Sequence, residues 1–221
     1  MENYRIFDSE LEKLAHKVIQ MCSQVNQQLI DVIRALKTSD LLLARNVINN
    51  DEFINNLDVK IDKLCQKIFA LQQPVASDLR YIISALKINN DLERIGDHAV
   101  NIAKRIEPLQ DYKQLVEEFG IDMIGEKTTV LFSDVLELVK THDLTYAVKI
   151  MNKADTIKEE CEDIASKILG EMMHQSEVVV VAANILIIIN LFERVTSYST
   201  NIAESITFVV DGEIVKHRKH N

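Results

Sequence analysis

Tryptophan is absent, and glycine (5) and proline (2) are scarce across 221 residues. A sheet protein of this length needs many tight turns, and turns draw on glycine and proline. Their scarcity predicts a few long helices joined by short loops. Aromatic residues make up only 5%, so the core must come from Leu, Ile, Val and Ala. Hydrophobic residues at 47% suffice for that core and exclude a disordered chain. Basic charge is not in excess. A formal net charge of -9 argues against a nucleic-acid partner, whose binding relies on a dense basic surface. The small basic patch at Lys216-His-Arg-Lys-His220 reads as a solvated C-terminus, within a polar tail over 211–221. No basic-then-apolar signal pattern marks Met1 to Arg5. The greasiest run, Val178 to Phe192, spans 15 residues and contains Asn184 and Asn190. Crossing a bilayer takes about 20 residues, so this run reads as a buried core helix and no transmembrane segment is expected. Cys22, Cys65 and Cys161 are odd in number and far apart, with no CxxC. They read as reduced core residues of a cytoplasmic protein rather than a thiolate zinc site.

Helix signals then divide the chain. Ser9-x-x-Glu12 has the form of a capping box opening a first helix that runs to about Lys37. A second helix is expected over about 40–73, and Pro74 separates it from a third over about 75–107. Pro108 ends the third helix, making 108–113 the expected link between a first unit (1–107) and a second (114–210). Gly120 and Gly125 blur the start of a fourth helix that reaches about Lys140. Fifth and sixth helices are expected over about 143–173 and 176–210. The fold class is all-α, two three-helix bundles in tandem.

The two units are copies. Asn90, Glu93, Arg94, Asn101, Ile102, Ala103 and Ile106 match Asn190, Glu193, Arg194, Asn201, Ile202, Ala203 and Ile206 one hundred residues on. Asp31, Val32, Lys37, Thr38, Asp40, Leu41 and Ala44 match Asp134, Val135, Lys140, Thr141, Asp143, Leu144 and Ala147 at an offset of 103. A shared helical phase at fixed spacing marks an internal duplication. On a helix turning about 100° per residue, Asn90, Glu93, Asp97 and Asn101 fall within a stripe about 80° wide. Carboxylates at i and i+4 can converge on a hard cation. They also repel by only about 0.2–0.5 kcal/mol when exposed, so a solvated, salt-bridged face fits the same spacing.

The segment Leu71-Gln-Gln-Pro-Val-Ala-Ser-Asp-Leu-Arg80, followed by Asp91-Leu-Glu-Arg-Ile-Gly-Asp-His-Ala-Val-Asn101, resembles the PhoU family of phosphate-signalling proteins. The resemblance covers nearly the whole chain. It implies a cytoplasmic, usually homodimeric, non-catalytic regulator linking the ATPase subunit of a phosphate ABC transporter to a sensor histidine kinase. It also implies bound metal (iron, manganese, zinc or magnesium) on a Glu/Asp-x-x-x-Asp motif in each half. Here that motif falls on Glu93 and Asp97, with Asn101 as a possible further ligand. In the second half Glu193 stands, but Ser197 takes the Asp position and Tyr198 the His position. The preceding helix of each half would add Asp51 and Asn55, and Asp155 and Glu159. The expected ligand set is therefore Glu93, Asp97 and Asp51, with Glu193, Asp155 and Glu159 in the second half.

Other readings remain open beside it. His98 points about 100° from Asp97 and suits an interhelix position. Glu171-x-x-His174 has the spacing used in ferritin-like di-iron bundles, but no second such pair accompanies it. Gly96 would let a neighbouring helix or an ion approach. Asp78 and Arg80 at a helix start read as a cap plus a salt bridge. A metal-dependent bundle enzyme and a purely structural interaction module are the alternatives. Neither a glycine-rich phosphate loop nor a nucleophile triad is present.

Overall fold

The computed structural model describes residues 2–72, 76–174 and 179–212. Among them the chain is helical, with no strand. Helix α1 covers Glu2–Thr38, α2 Leu41–Gln72 and α3 Ala76–Ala103. A 3-10 segment, Glu107–Tyr112, and a short α4, Lys113–Glu118, lead into α5, Ile121–Thr141. Helices α6, Thr145–His174, and α7, Val179–Asp211, complete the fold. At 37 residues, α1 is about 55 Å long.

Several boundaries differ from the sequence reading. Helix α1 starts at Glu2, so Ser9 and Glu12 lie inside it and form no capping box. An apolar stripe that reaches Leu14 and Leu11 carries the helix past a cap-like motif, because packing outweighs a local signal. Helix α3 stops at Ala103, and Pro108 sits in the first turn of the 3-10 segment rather than ending the helix itself. Gly120 adopts φ 69°, which breaks α4 from α5 and adds a helix that the sequence had not resolved. The basic patch at 216–220 and Pro74 lie outside the described residues, as does the side chain of His174.

The duplication is visible in the backbone. Ser39 and His142, 103 residues apart, both take left-handed conformations at φ 55° and 54°. Each is followed by an aspartate that caps the next helix: Asp40 accepts from the Leu43 N–H at 2.9 Å, and Asp143 from the Thr145 N–H at 3.0 Å.

Within each copy three long helices pack on one another: α1 with α2 and α3, and α5 with α6 and α7. The copies meet along two seams, α1 on α5 and α3 on α7, the latter being the most extensive contact in the molecule. Both seams run antiparallel. Asn26 accepts from Ser133 and Lys37 pairs with Glu126, while at the other seam the Arg80 guanidinium lies 3.7 Å from the Cβ position of Gly212. A continuous apolar core fills the interior, and Phe132 and Phe192 are its bulkiest members. Helix α7 is long and apolar enough to span a membrane by length and composition, yet it contacts α3, α5 and α6 as a core helix does. All three cysteines are free and buried. Burial first, and then the charge of Asp62 at Cys65 and of Glu193, Glu160 and Glu162 at Cys161, drives these two thiols up to about 12.

Gly170, inside α6, has no atom beyond its own stretch of helix backbone within 4 Å of where a Cβ would stand. Gly170→Ala should therefore stabilise the fold by about 0.5–1 kcal/mol, read as a higher urea midpoint at unchanged slope. A lower midpoint would mean that this stretch of α6 is not helical in solution.

Candidate functional site

Three helices of the first copy enclose a polar groove that the second copy lacks. It is built around Gly96 on α3. A Cβ there would stand 3.3 Å from Gln28 Oε1 and 3.3 Å from Ile54 Cδ1, so the bare glycine lets α1 and α2 close onto α3. Gln28, 4% exposed, donates through Nε2 to the Val47 carbonyl and to Asp51 Oδ1, both at 3.3 Å. Its Oε1 is buried without a partner. Two turns before Gly96 on the α2 side, Asn89 is 1% exposed. Its Nδ2 donates to Asp58 Oδ1 at 2.6 Å, to the Asp58 carbonyl at 3.2 Å and to Asp62 Oδ1 at 3.2 Å. Asn89 Oδ1 is likewise unpartnered. Asn55 donates to Asp51 Oδ2 at 3.0 Å.

Glu93 and Asp97 face this groove from α3. Burial is the first cause that raises the Glu93 pKa, followed by the negative charges of Asp97, Asp58 and Asp51, against which Arg94 pulls down. Asp97 is more exposed, but partial burial and then the charge of Asp51 raise it as well, with Lys104 and Arg94 opposing. Asp58 is raised by burial and by Asp62, less the hydrogen bond from Asn89. Five carboxylates thus share one groove at mutual cost. Of the expected ligands, Asp51 lies near enough to Glu93 and Asp97 for its charge to raise both. Asn101 is exposed on the same helix. Asp58 and Asp62, with Gln28 and Asn89, were not expected. The Asp58-x-x-x-Asp62 spacing on α2 repeats the Glu93-x-x-x-Asp97 spacing on α3, and that pattern was the signal available.

The second copy does not match. The buried pairs Ala44 and Ala147, Val47 and Ile150, Ile54 and Ile157, and Cys65 and Ile168 fix the register of α6 on α2 at 103 residues. The counterparts of Asp51, Asn55, Asp58 and Asp62 are then Ala154, Lys158, Cys161 and Ala165. Gln28 becomes Leu131, Asn89 becomes Ile189, Gly96 becomes Thr196 and Asp97 becomes Ser197. Asp155 and Glu159, expected as the counterparts of Asp51 and Asn55, stand one residue out of phase and are exposed. A single step turns a helix by about 100°, enough to move a side chain from groove to solvent. Glu193 alone is retained. Its charge is felt at Cys161, the position equivalent to Asp58.

The groove offers a cation hard oxygen donors, surplus negative charge and two unpartnered amide oxygens, and in chemical type these fit a divalent or trivalent ion. Among the described residues no three His, Cys, Asp or Glu side chains are gathered closely enough to cage an ion. The second copy keeps Glu193 but has Ala154, Cys161, Ala165, Leu131, Ile189 and Ser197 at the other positions, so its donor set does not fit.

His98 lies beyond the groove, at the seam. Its ring meets that of Tyr198, its own counterpart, with centroids 5.6 Å apart and planes at 37°. Burial first, and then the charges of Arg194 and Arg94, lower its pKa to about 4. Both ring nitrogens are buried and unpartnered.

The PhoU domain model matches residues 18–106 and again 121–206, the two copies described above. The chain belongs to the PhoU family. It is 32% identical to the phosphate-specific transport system accessory protein PhoU of Escherichia coli K12, over 96% of this chain and 88% of that protein. A PhoU homolog from Clostridium acetobutylicum is also 32% identical, over 96% of this chain and 97% of its own. Crystal structures of PhoU from Pseudomonas aeruginosa (TM-score 0.87, 30% identity, covering 94% of this chain and 100% of that one) and of the phosphate transport system regulatory protein PhoU from Streptococcus pneumoniae (0.86, 31%, 95% and 99%) share the fold.

Proposed function

We propose that this chain is an accessory regulator of phosphate transport that acts by protein contact, with one cation-binding groove in its first half. The accessory role is what the PhoU relatives are named for, and the match extends over both copies and nearly the whole chain. In this reading the chain works in the cytoplasm as a homodimer. It docks on the ATPase subunit of a phosphate ABC transporter and on a sensor histidine kinase, and restrains uptake and starvation signalling when phosphate is plentiful. The observation that carries the cation is the placing of Asp51, Asp58, Asp62, Glu93 and Asp97 along one groove, where Asp97, Asp58 and Asp51 raise the Glu93 pKa, Asp51 raises that of Asp97 and Asp62 that of Asp58. Iron, manganese, zinc or magnesium would supply the opposing charge. Asp58, Asp62, Glu93 and Asp97 would hold the ion, Asp51 would support them, and Asn89 would orient the α2 pair.

The test has two parts. Deletion of the protein should leave phosphate-responsive expression and uptake derepressed in rich phosphate, and the wild-type chain should restore control. Unchanged expression and uptake after deletion would sink the regulatory reading. Separately, protein purified without chelator should carry about one ion per chain by elemental mass spectrometry, and Glu93→Gln with Asp97→Asn should remove it. Glu193→Gln should leave metal content unchanged. Two ions per chain, or loss on Glu193→Gln, would show that the second half binds metal after all.

A further inference from the structure

The helices that join the copies, α1, α3, α5 and α7, leave a cavity of about 160 Å³ between them. Its buried walls are Val18 of α1, Ser84, Ala85 and Ile88 of α3, Val139 of α5 and Ile206 of α7. Tyr81, Lys140 and His142 stand at its more exposed rim. The duplication shows why space remains here. At the offsets of 103 and 100, Val18 corresponds to Ile121, Ala85 to Ile185 and Val139 to Leu36, all buried and each larger by one to three carbons. Ile88 and Ile206 correspond to isoleucines, Ile188 and Ile106, and Ser84 to Asn184. No buried wall residue exceeds its counterpart, so the sequence underfills this part of the joint. One polar group sets the chemistry of the space. Four serine and threonine side chains are buried among the described residues. The hydroxyls of Thr128, Thr196 and Ser199 each donate to the carbonyl four residues back, at 2.8, 2.9 and 2.8 Å. That bond is the ordinary way for a hydroxyl inside a helix to be satisfied. Ser84, the fourth, is 1% exposed, and its Oγ has no partner. Buried polar groups are as a rule hydrogen-bonded, so this one calls for a partner inside the cavity.

We infer that this cavity binds a small uncharged organic molecule, apolar except for one hydrogen-bonding group that meets the Ser84 hydroxyl. Size sets one limit: an aliphatic cavity of about 150 Å³ takes a benzene-sized guest. Charge sets another. An ion among these walls would give up its hydration for a single neutral hydroxyl, which excludes inorganic phosphate and metal cations here. Lys140 does not change this, because its ammonium at the rim is paired with Glu137 at 2.9 Å. Water and an organic guest remain. A buried water needs two to four polar partners, and the buried side chains supply one. A phenol or a short-chain alcohol needs only that one, and Val18, Ile88, Val139 and Ile206 cover the rest of its surface. The walls come from α1 and α3 of the first copy and from α5 and α7 of the second, so a guest bridges the joint between the copies. The site is separate from the acidic groove and does not depend on the regulatory reading above.

Phenol serves as the probe, and toluene, which lacks the hydroxyl, as the comparison. Isotope-filtered NMR of the full chain should show contacts from the phenol ring to the methyl groups of Val18, Ile88 and Ile206. Binding should saturate at one phenol per chain, in about the millimolar range or below for so small a guest. Ala85→Ile installs the residue that the other copy uses and should remove the contacts. Should that variant not fold, Val139→Leu fills the same space from α5 and should weaken binding. Ser84→Ala should weaken phenol about five- to tenfold and leave toluene unweakened, a split that general loosening of the core would not produce. Absence of these contacts at every phenol concentration that the fold tolerates would overturn the site, because the cavity then holds water only or is closed. Undiminished contacts in a folded Ala85→Ile protein would overturn it by placing the phenol elsewhere. Equal loss of phenol and toluene in Ser84→Ala would remove the hydroxyl from the site and with it the choice of ligand.

Discussion

Replacing Phe192 with alanine should lower folding stability by about 3–5 kcal/mol, the cost of an aromatic cavity in a packed core. Phe192 is fully buried in α7 and reaches across to α5, where its Cζ lies 3.2 Å from the Cβ position of Gly125. The first copy shows how the volume is shared. There the counterpart of Phe192 is Leu92, and the counterpart of Gly125 is Cys22. One copy uses a larger helix-α7 residue against a bare backbone; the other uses a smaller residue against a thiol. The two positions should therefore be coupled. Gly125→Ala alone should destabilise, because its Cβ would also stand 2.7 Å from Ile33 Cδ1 and 3.2 Å from Ile33 Cγ2. In a Phe192→Leu background the same change should cost less, by about 0.5–1.5 kcal/mol. Urea unfolding of the four proteins measures this directly. Strict additivity would mean that the contact with Ile33 alone sets the cost.

A second large effect concerns pH. His98 is held neutral at the seam, with its pKa lowered to about 4 from an ordinary value near 6.5. The unfolded chain takes up a proton below pH 6.5 and the folded chain does not. The stability tied to the neutral ring is thus complete above pH 6.5 and is lost progressively as pH falls to about 4. The ring is only partly enclosed, so solvent screening reduces the effect to about 1–2 kcal/mol. Glu93, Asp97 and Asp58 act in the opposite sense. Their pKa values are raised in the folded state, so they destabilise at neutral pH and cease to do so as pH falls through the carboxylate range. The comparison must therefore be between proteins, not along one curve. His98→Phe, which keeps a ring against Tyr198, should lose less stability than wild type between pH 7 and pH 4.5, measured in chelator by urea unfolding. Parallel curves would show that His98 is protonated in the folded protein.

The architecture was legible because it rests on repetition. Long apolar periodicity, few turn residues and two offsets, 100 and 103, together specify six long helices in two copies. Glu93 and Asp97 were legible because their spacing lies within one helix. Their partners were not, because the residue that faces a groove is chosen by the neighbouring helix. Asp51 and Asp58 both lie on α2, and only the contacts of Gln28 and Asn89 show how α2 sits against α1 and α3. Asp155 and Glu159 illustrate the opposite error. Their spacing was right and their phase was not, since the buried positions Ala154, Ile157 and Cys161 set the inward face of α6. Ser9 shows that a capping motif has no force where an amphipathic stripe continues through it. The pairing of His98 with Tyr198 could be anticipated only by knowing that α3 and α7 run antiparallel.

That ring contact has a consequence for what a fused chain can do that a symmetric assembly cannot. If two identical three-helix subunits met about a strict two-fold axis, the residue at the axis would have to face itself, and any groove present once would be present twice. Joining the copies end to end removes that constraint. A histidine can then lie against a tyrosine, and one groove can keep its carboxylates while the other fills with alanine, leucine and isoleucine. The molecule thereby gains a polarity that its parent geometry forbids: a partner arriving from either side meets two different faces on a nearly symmetrical frame.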